Sequence, residues 1–371
     1  MADNPEKVTL QIGGVNWLGW KSAEVSRQVD AAAGSFALGL TDKWAPNQEA
    51  KPIAAGMACK VLANGEPLAD GYLDKVTLSF SRTEHSIQVS GRDKSADLVD
   101  CSAVHKPGHW QGQTSKQLAE ALAGPYGVQV KLEGEDGPAF EDFKLEVGET
   151  SFQALDRVLR QRGLLPVPDG QGGLRLIKLG EKRAGTSLIQ GRNVLEASAS
   201  YDVSDRHSKY ITKGQRKGSD DDYGQSVSEI EGEGDDPAVT RYRPLLVRPE
   251  SQVTRADAKA RAEWEASVRA ARGVTVSVTV QGWRQDDGQL WDVGLLVSCD
   301  IPYLRLQQDL LLSKVTFSQS RDQGTLAKLE LKDPKAFDKQ PPKAKGKGKG
   351  GDLQSLSMQS AEEAHREIMG G

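Results

Sequence analysis

One eight-residue phrase occurs twice in the chain. Lys75-Val-Thr-Leu-Ser-Phe-Ser-Arg82 and Lys314-Val-Thr-Phe-Ser-Gln-Ser-Arg321 agree at six of eight positions. Each alternates apolar and polar residues, leads into a turn, and is followed by another alternating stretch (Ile87–Val89 and Leu329–Leu331). Each also lies near the end of its own β-patterned region. Repetition of a strand together with its context indicates one duplicated β module. The consequence is geometric: a chain carrying two such modules places six in a ring as a trimer.

The rest of the first hundred residues reads as β. Val8, Leu10 and Ile12 alternate with polar partners, as do Phe36, Leu38 and Leu40, then Val76, Leu78 and Phe80. Period-two alternation predicts one buried and one wetted face. Asn64-Gly65 marks a hairpin, because both residues tolerate positive φ. The expectation for residues 1–97 is a small antiparallel barrel or sandwich.

The period changes near Asp100. Thr114 and Thr150 each stand three residues before a glutamine, Gln117 and Gln153, which predicts two capping boxes with helices behind them. Gly124 and Gly163 are the expected stops. With strands near Val128–Leu132 and Leu174–Ile177, residues 98–182 read as an α+β domain. A second barrel is expected from 183–216 and 273–338. Between its parts, residues 217–272 read as an insertion: an acidic loop to Pro237, then a helix from Thr254 to Arg272 with Ala256, Ala260, Trp264 and Val268 on its apolar stripe. Residues 339–371 read as a flexible basic tail, with Leu353–Met369 either disordered or a docking helix. The fold class is therefore α+β and β-dominated, two tube-like antiparallel β-barrels with an α+β domain and a helical insertion between them.

Chemistry finds few candidates. Cys101, His105 and His109 have a metal-like spacing, but Pro107 keeps the histidines off a common helix face and no fourth ligand is evident. Asp220, Asp221 and Asp222 with Glu229, Glu231 and Glu233 do not follow a calcium-loop pattern, so a solvated acidic loop is the better reading. Gly346, Gly348 and Gly351 match a dinucleotide fingerprint formally, yet sit in a lysine tail without the required strand and helix. Phosphate-loop, zinc-protease and nucleophile-elbow motifs are missing, and the five histidines adjoin no evident nucleophile. No catalytic, cofactor-binding or metal-binding residue is assigned, and no cofactor. Trp283 and Trp291 flank a turn and are expected to cap a barrel edge or touch another subunit, with core packing as the alternative.

Composition narrows the partners. A net charge of −4 among 371 residues makes nucleic acid a poor default ligand. Cys59, Cys101 and Cys299 are odd in number and far apart, which fits a reducing compartment. The N-terminus does not read as a signal peptide, and no apolar run approaches the roughly 20 residues that span a bilayer.

Several stretches are similar to the Mu-like phage baseplate hub proteins: Asp97-Leu-Val-Asp-Cys-Ser-Ala103, Pro107-Gly-His-Trp110, Gln117-Leu-Ala-Glu-Ala-Leu-Ala123, Gly191-Arg-Asn-Val-Leu195, Ser204-Asp-Arg-His-Ser-Lys-Tyr210 with Lys213-Gly-Gln215, Gly282-Trp-Arg284 and Gly288-Gln-Leu-Trp291. The resemblance runs in order across about residues 5–338, leaving the acidic loop and lysine tail open. It implies a non-enzymatic homotrimeric hub of a contractile tail, with tube-like barrels in a pseudo-hexameric ring that joins a trimeric spike to the six-fold tube. The implied partners are its own copies, the trimeric tail spike protein, and tail tube or adjacent baseplate proteins. DNA is met only in transit through the channel, and there is no stable membrane insertion. The implied location is the virion baseplate, after assembly in host cytoplasm. Two other roles stay open. One is a tail-associated cell-wall-binding or lytic protein, with Thr114–Ala123 in a glycan-binding module. The other is a type VI secretion spike hub, for whose usual fused needle residues 343–371 are too short.

Overall fold

The computed structural model describes residues 6–41, 53–82, 85–214, 230–249 and 254–338. Asp220–Asp222, Glu229, Gly346–Gly351 and the expected basic tail lie outside these residues. The described chain divides into two compact units. The smaller comprises Lys209–Asp235 and Pro244–Trp264; the larger takes in the chain up to Ser208, Asp236–Arg243 and from Glu265 onward.

The larger unit begins with strands β1 (Val8–Ile12), β2 (Val15–Trp17), β3 (Ser22–Gln28), β4 (Ser35–Thr41), β5 (Ala58–Ala63), β6 (Glu66–Phe80) and β7 (His85–Asp93). Asn64 and Gly65 take φ of 49° and 87°, forming the tight turn between β5 and β6. The α+β region follows: α1 (Ala96–Asp100), β8 (His109–Trp110), α2 (Ser115–Ala123), β9 (Val130–Leu132), β10 (Phe143–Lys144), α3 (Ser151–Arg162), β11 (Leu165–Pro168) and β12 (Leu174–Ile177). Both capping boxes form. Thr114 Oγ1 accepts the Gln117 N–H at 3.3 Å, and Thr150 Oγ1 accepts that of Gln153 at 3.1 Å. Leu118, Leu122, Leu155, Val158 and Leu159 pack there with Leu174 and Leu176 in a core of their own. Strand β11 was not anticipated, because Pro166 and Pro168 argue against a strand. It is an edge in the order β11-β12-β9, where prolines are tolerated.

Strands β13 (Leu188–Ile189) and β14 (Val194–Tyr201) precede the smaller unit, which holds β15 (Lys209–Gly214), β16 (Ile230–Asp235) and β17 (Pro244–Val247). The expected loop to Pro237 thus contains a strand, and Glu231 and Glu233 are cross-strand partners of Lys213 and Lys209 at 3.4 and 2.8 Å rather than loop carboxylates. Helix α4 (Arg255–Arg272) begins in this unit. Of the expected stripe Ala256 is exposed, Ala260 and Trp264 are half-buried, and Val268 further along the helix is buried as expected, while the buried residues in this unit are Ala258 and Ala262. The cause is close backbone approach. A Cβ on Gly232 would lie 2.1 Å from Lys259 N, and one on Gly234 would lie 2.6 Å from the Ala262 carbonyl carbon. Small residues on both elements set the face, and the alternating Gly-x-Gly of β16 was not used to find it.

The chain ends its described part in the larger unit with β18 (Val274–Gln281), β19 (Leu296–Ile301), β20 (Leu306–Ser320) and β21 (Gly324–Lys332). The unit's main sheet has 13 strands in the order β14-β18-β21-β20-β3-β4-β7-β6-β5-β1-β2, with β13 and β19 alongside β20. The β-dominated α+β class is as read. The halves are not separate, however: one ladder joins them, β20 against β3, and one hydrophobic core cluster runs through both. Among the described residues the strand pairings close neither half into a barrel.

Candidate assembly interface

The sheet order is itself a repeat. Reading across each half gives β3-β4-β7-β6-β5 and β14-β18-β21-β20-β19. Strands β6 and β20 are each 15 residues long, and each has a register irregularity immediately before the duplicated phrase, between Leu73 and Lys75 and between Leu312 and Lys314. A bulge at the same place in both copies is a designed bend, letting one strand serve two ladders. The likeness ends at the next strand, since β1 runs antiparallel to β5 but β13 runs parallel to β19.

The two phrases meet different fates. Lys314–Ser320 is a central strand, flanked by β21 and by β3 in the register Lys314↔Gln28 to Ser320↔Ser22. Phe317 has no exposed surface. Its ring centroid lies 5.5 Å from that of Trp283, and the Arg27 guanidinium sits 5.6 Å above it. Arg27 is anchored by Asp292 at 3.3 Å, which also pairs with Arg175 at 2.6 Å. Gln319 donates to the Glu6 carbonyl at 2.7 Å. The seam is closed on both sides of the strand, with its apolar side chains in the core.

Lys75–Phe80 has β7 on one side and, among the described residues, no strand on the other. Leu78 is 68% exposed and Phe80 88%. The alternation that predicted a buried face is therefore corrected in part: Val76 packs half-buried against the main core, while Leu78 and Phe80 beyond it are bare. The opposite end of the sheet is similar. Among the described residues Glu196–Tyr201 of β14 pairs only with β18, and Leu195, Tyr201 and Val203 are exposed. Asp202, at the end of this edge, accepts the Ser204 N–H at 2.7 Å, which holds its carboxyl below the ordinary range. Unpaired edges carrying exposed apolar side chains are templates for another chain.

The other candidates separate. His105 stacks on Trp110 at 5.0 Å, while His109 pairs with Asp142, and no cluster of three or more ligating side chains exists among the described residues. Trp283 and Trp291 are core residues, which corrects the expectation of an edge or subunit contact. Trp283 Nε1 donates to the carbonyls of Ser318 and Leu326 at 3.1 and 3.0 Å, tying β20 to β21 from the core side. Cys59 and Cys299 are buried, and burial pushes both thiols up to about 12, so neither is reactive. Cys101 is exposed. No helix among the described residues is long and apolar enough to cross a membrane.

Comparison with known proteins points one way. Three family models match: Mu phage baseplate assembly protein GpP-like, N-terminal, over residues 7–93; baseplate hub protein gp44-like, second domain, over 95–178; and Mu phage baseplate assembly protein GpP, fourth domain, over 254–340. The chain is 35% identical over 338 residues to baseplate hub protein gp44 of Escherichia phage Mu, covering 89% of this chain and 88% of that one. The 43 kDa tail protein of prophage MuSo2 from Shewanella oneidensis is 31% identical with a TM-score of 0.79, over 91% of this chain and 100% of that one. A tail protein from Neisseria meningitidis MC58 is 25% identical with a TM-score of 0.73, over the same shares.

Proposed function

The chain belongs to the Mu-like phage baseplate hub family and is a structural baseplate hub, and from that premise we propose that it acts as a homotrimer whose six β modules form a ring joining the trimeric tail spike to the six-fold tail tube. The observation that carries this reading is the repeat in the sheet order, which, among the described residues, leaves Lys75–Phe80 of β6 unpaired on one side in the first module and one side of β14 unpaired in the second. A strip with complementary ends closes into a ring when its copies join head to tail, and heterologous contacts of this kind generate rings.

The domains expected from the sequence take the following parts in this proposal. The β modules of 1–97, 183–216 and 273–338 build the ring, and the α+β domain of 98–182 widens the body on the spike side. The insertion of 217–272 and the tail beyond 339 are left without a role. DNA passes through the channel without being held. The work is assembly, with no chemical step, and it takes place in the virion baseplate after assembly in the host cytoplasm.

Light scattering on the purified full chain, with negative-stain images of the same peak, tests the proposal. A mass three times the 40.1 kDa chain and a ring with an open channel are expected. A monomer at all concentrations overturns the ring. Cleavage of peptidoglycan by the pure protein overturns the non-catalytic reading.

A further inference from the structure

The within-chain seam supplies more than an analogy, because the ladders allow every position of one half to be matched to the other. Val76 lies opposite Val89, which lies opposite Leu38, which lies opposite Ala23. In the second half, Val315 lies opposite Leu329, which lies opposite Val278, which lies opposite Ala197. Ala23 and Ala197 therefore occupy the same place in the repeat. The next core-facing positions agree: Leu73–Gly91–Phe36–Val25 corresponds to Leu312–Leu331–Val276–Ala199.

We infer that the bare edge Lys75–Phe80 of one copy pairs antiparallel with the bare edge Ala197–Asp202 of a second copy of this chain, in the register of the β20–β3 seam. The inference rests on the hub reading and gives its subunit interface a residue-level register. Lys314↔Gln28 becomes Lys75 opposite Asp202 of the next copy, Thr316↔Ser26 becomes Thr77 opposite Ser200, Phe317↔Val25 becomes Leu78 opposite Ala199, and Gln319↔Ala23 becomes Phe80 opposite Ala197.

Three features support this register over any other. It sets the Lys75 ammonium across from the Asp202 carboxylate, both exposed within one chain. It sets large side chains against small ones: Leu78 and Phe80 face Ala199 and Ala197, as Phe317 and Gln319 face Val25 and Ala23. It brings Tyr201 to the place of Arg27, so an aromatic ring lies beside Leu78 where a guanidinium lies over Phe317. A slip by one residue would turn all of these to the wrong face.

The test is a register scan by cysteine pairing in the full chain. Cys101→Ser removes the one exposed thiol, while Cys59 and Cys299 are buried. Thr77→Cys with Ser200→Cys is expected to give disulfide-linked dimers and trimers under mild oxidation, because a disulfide spans only directly opposite positions. Thr77→Cys with Ser198→Cys, one register step away on the same face, is expected to stay at the level of single-cysteine controls. Charge exchange gives a second measurement that needs no disulfide geometry. Lys75→Asp and Asp202→Lys should each weaken assembly about two- to fivefold, with the double exchange recovering it, as for a rim ion pair. If cross-links form only in another register while the light-scattering mass remains trimeric, this pairing is wrong and the ring stands. If the chain stays monomeric, both fall. If copies stay unlinked and a different tail protein protects Leu78 and Phe80 from labelling, the edge serves that partner and the inference is overturned.

Discussion

Leu78 and Phe317 hold the same place in two copies of one strand, yet Leu78 is 68% exposed and Phe317 has no exposed surface. Sequence differs little between these strands, and each has the equivalent neighbour on one side, β21 or β7. On the other side Phe317 has β3, with Trp283 behind it, whereas Leu78 has no strand there among the described residues. The difference shows that burial here belongs to the sheet edge and not to the strand's own pattern. The sharpest way to break the comparison is to truncate both. Phe317→Ala is expected to destabilise the chain by about 3–5 kcal/mol in denaturant unfolding, as large core truncations do. Leu78→Ala is expected to leave unfolding of the separated chain within about 0.5 kcal/mol and to reduce the assembled fraction instead. Equal losses from the two variants would end the claim that the edges differ only in their neighbours.

The halves also solve one packing problem in opposite ways. The cross-strand pair Phe36 and Gly91 in the first half corresponds to Val276 and Leu331 in the second, so bulk moves from one strand to its neighbour. Gly91 has no room for more: a Cβ would lie 2.0 Å from the Tyr72 carbonyl oxygen and 2.5 Å from Phe36 Cζ. Gly91→Ala is expected to cost about 1–3 kcal/mol in the same unfolding assay, as overpacked cores do. Adding Phe36→Val should recover only part of it, because the tighter clash is with backbone. Full recovery would mean that side-chain volume alone distinguishes the halves here.

Much of this architecture was legible and some was not, for separable reasons. The capping boxes at Thr114 and Thr150, the Asn64-Gly65 turn and the duplicated phrase are local signals, and local chemistry settles them. The seam between β20 and β3 joins residues almost 300 apart in sequence, and no periodicity carries that pairing. Val76, Leu78 and Phe80 alternate as a buried face would, so the pattern that identifies the strand misreports its exposure. The candidate interface was therefore present in the sequence as the echo itself, but its exposure was visible only from sheet order. Gly232 and Gly234 misled in the other direction, since close approach to α4 depends on what a glycine lacks.

Asp93 ends β7 and Asp333 follows the end of β21, matching positions of the two halves that part company. Asp333 accepts the Lys335 N–H at 2.9 Å at the start of a short 3-10 turn. Asp93 is buried, accepting the N–H groups of Gly34 and Asp70 at 2.9 and 3.1 Å, and burial pushes its carboxyl up to about 6 from an ordinary 3.8. Between those values the folded chain keeps a proton that the unfolded chain has released. Asp93 therefore makes stability fall as pH rises through that window and level off above about 6. Asp93→Asn should flatten this part of the profile. It should also cost about 1–3 kcal/mol at pH 4.5, because an amide offers one acceptor oxygen to two buried donors. An unchanged slope would show that other groups set the pH dependence.

The smallest expected effect isolates the edge charge. Lys314 pairs with Glu330 across the strand at 3.6 Å, both about a third exposed, while Lys75 has Ser90 at the matching position. Glu330→Ala should cost the chain about 0.2–1 kcal/mol, the usual worth of a partly exposed pair. Lys75→Ala, lacking the equivalent carboxylate in its own chain, should cost the isolated fold less than that. A lysine on a bare edge also discourages indiscriminate strand pairing, because an ammonium buried without a partner is penalised. The two roles are compatible only if the correct partner brings a carboxylate to meet it. Measured as a salt dependence of assembly, Lys75→Ala should flatten the curve, and Glu330→Ala should leave it unchanged, since its lysine already sits inside a finished seam.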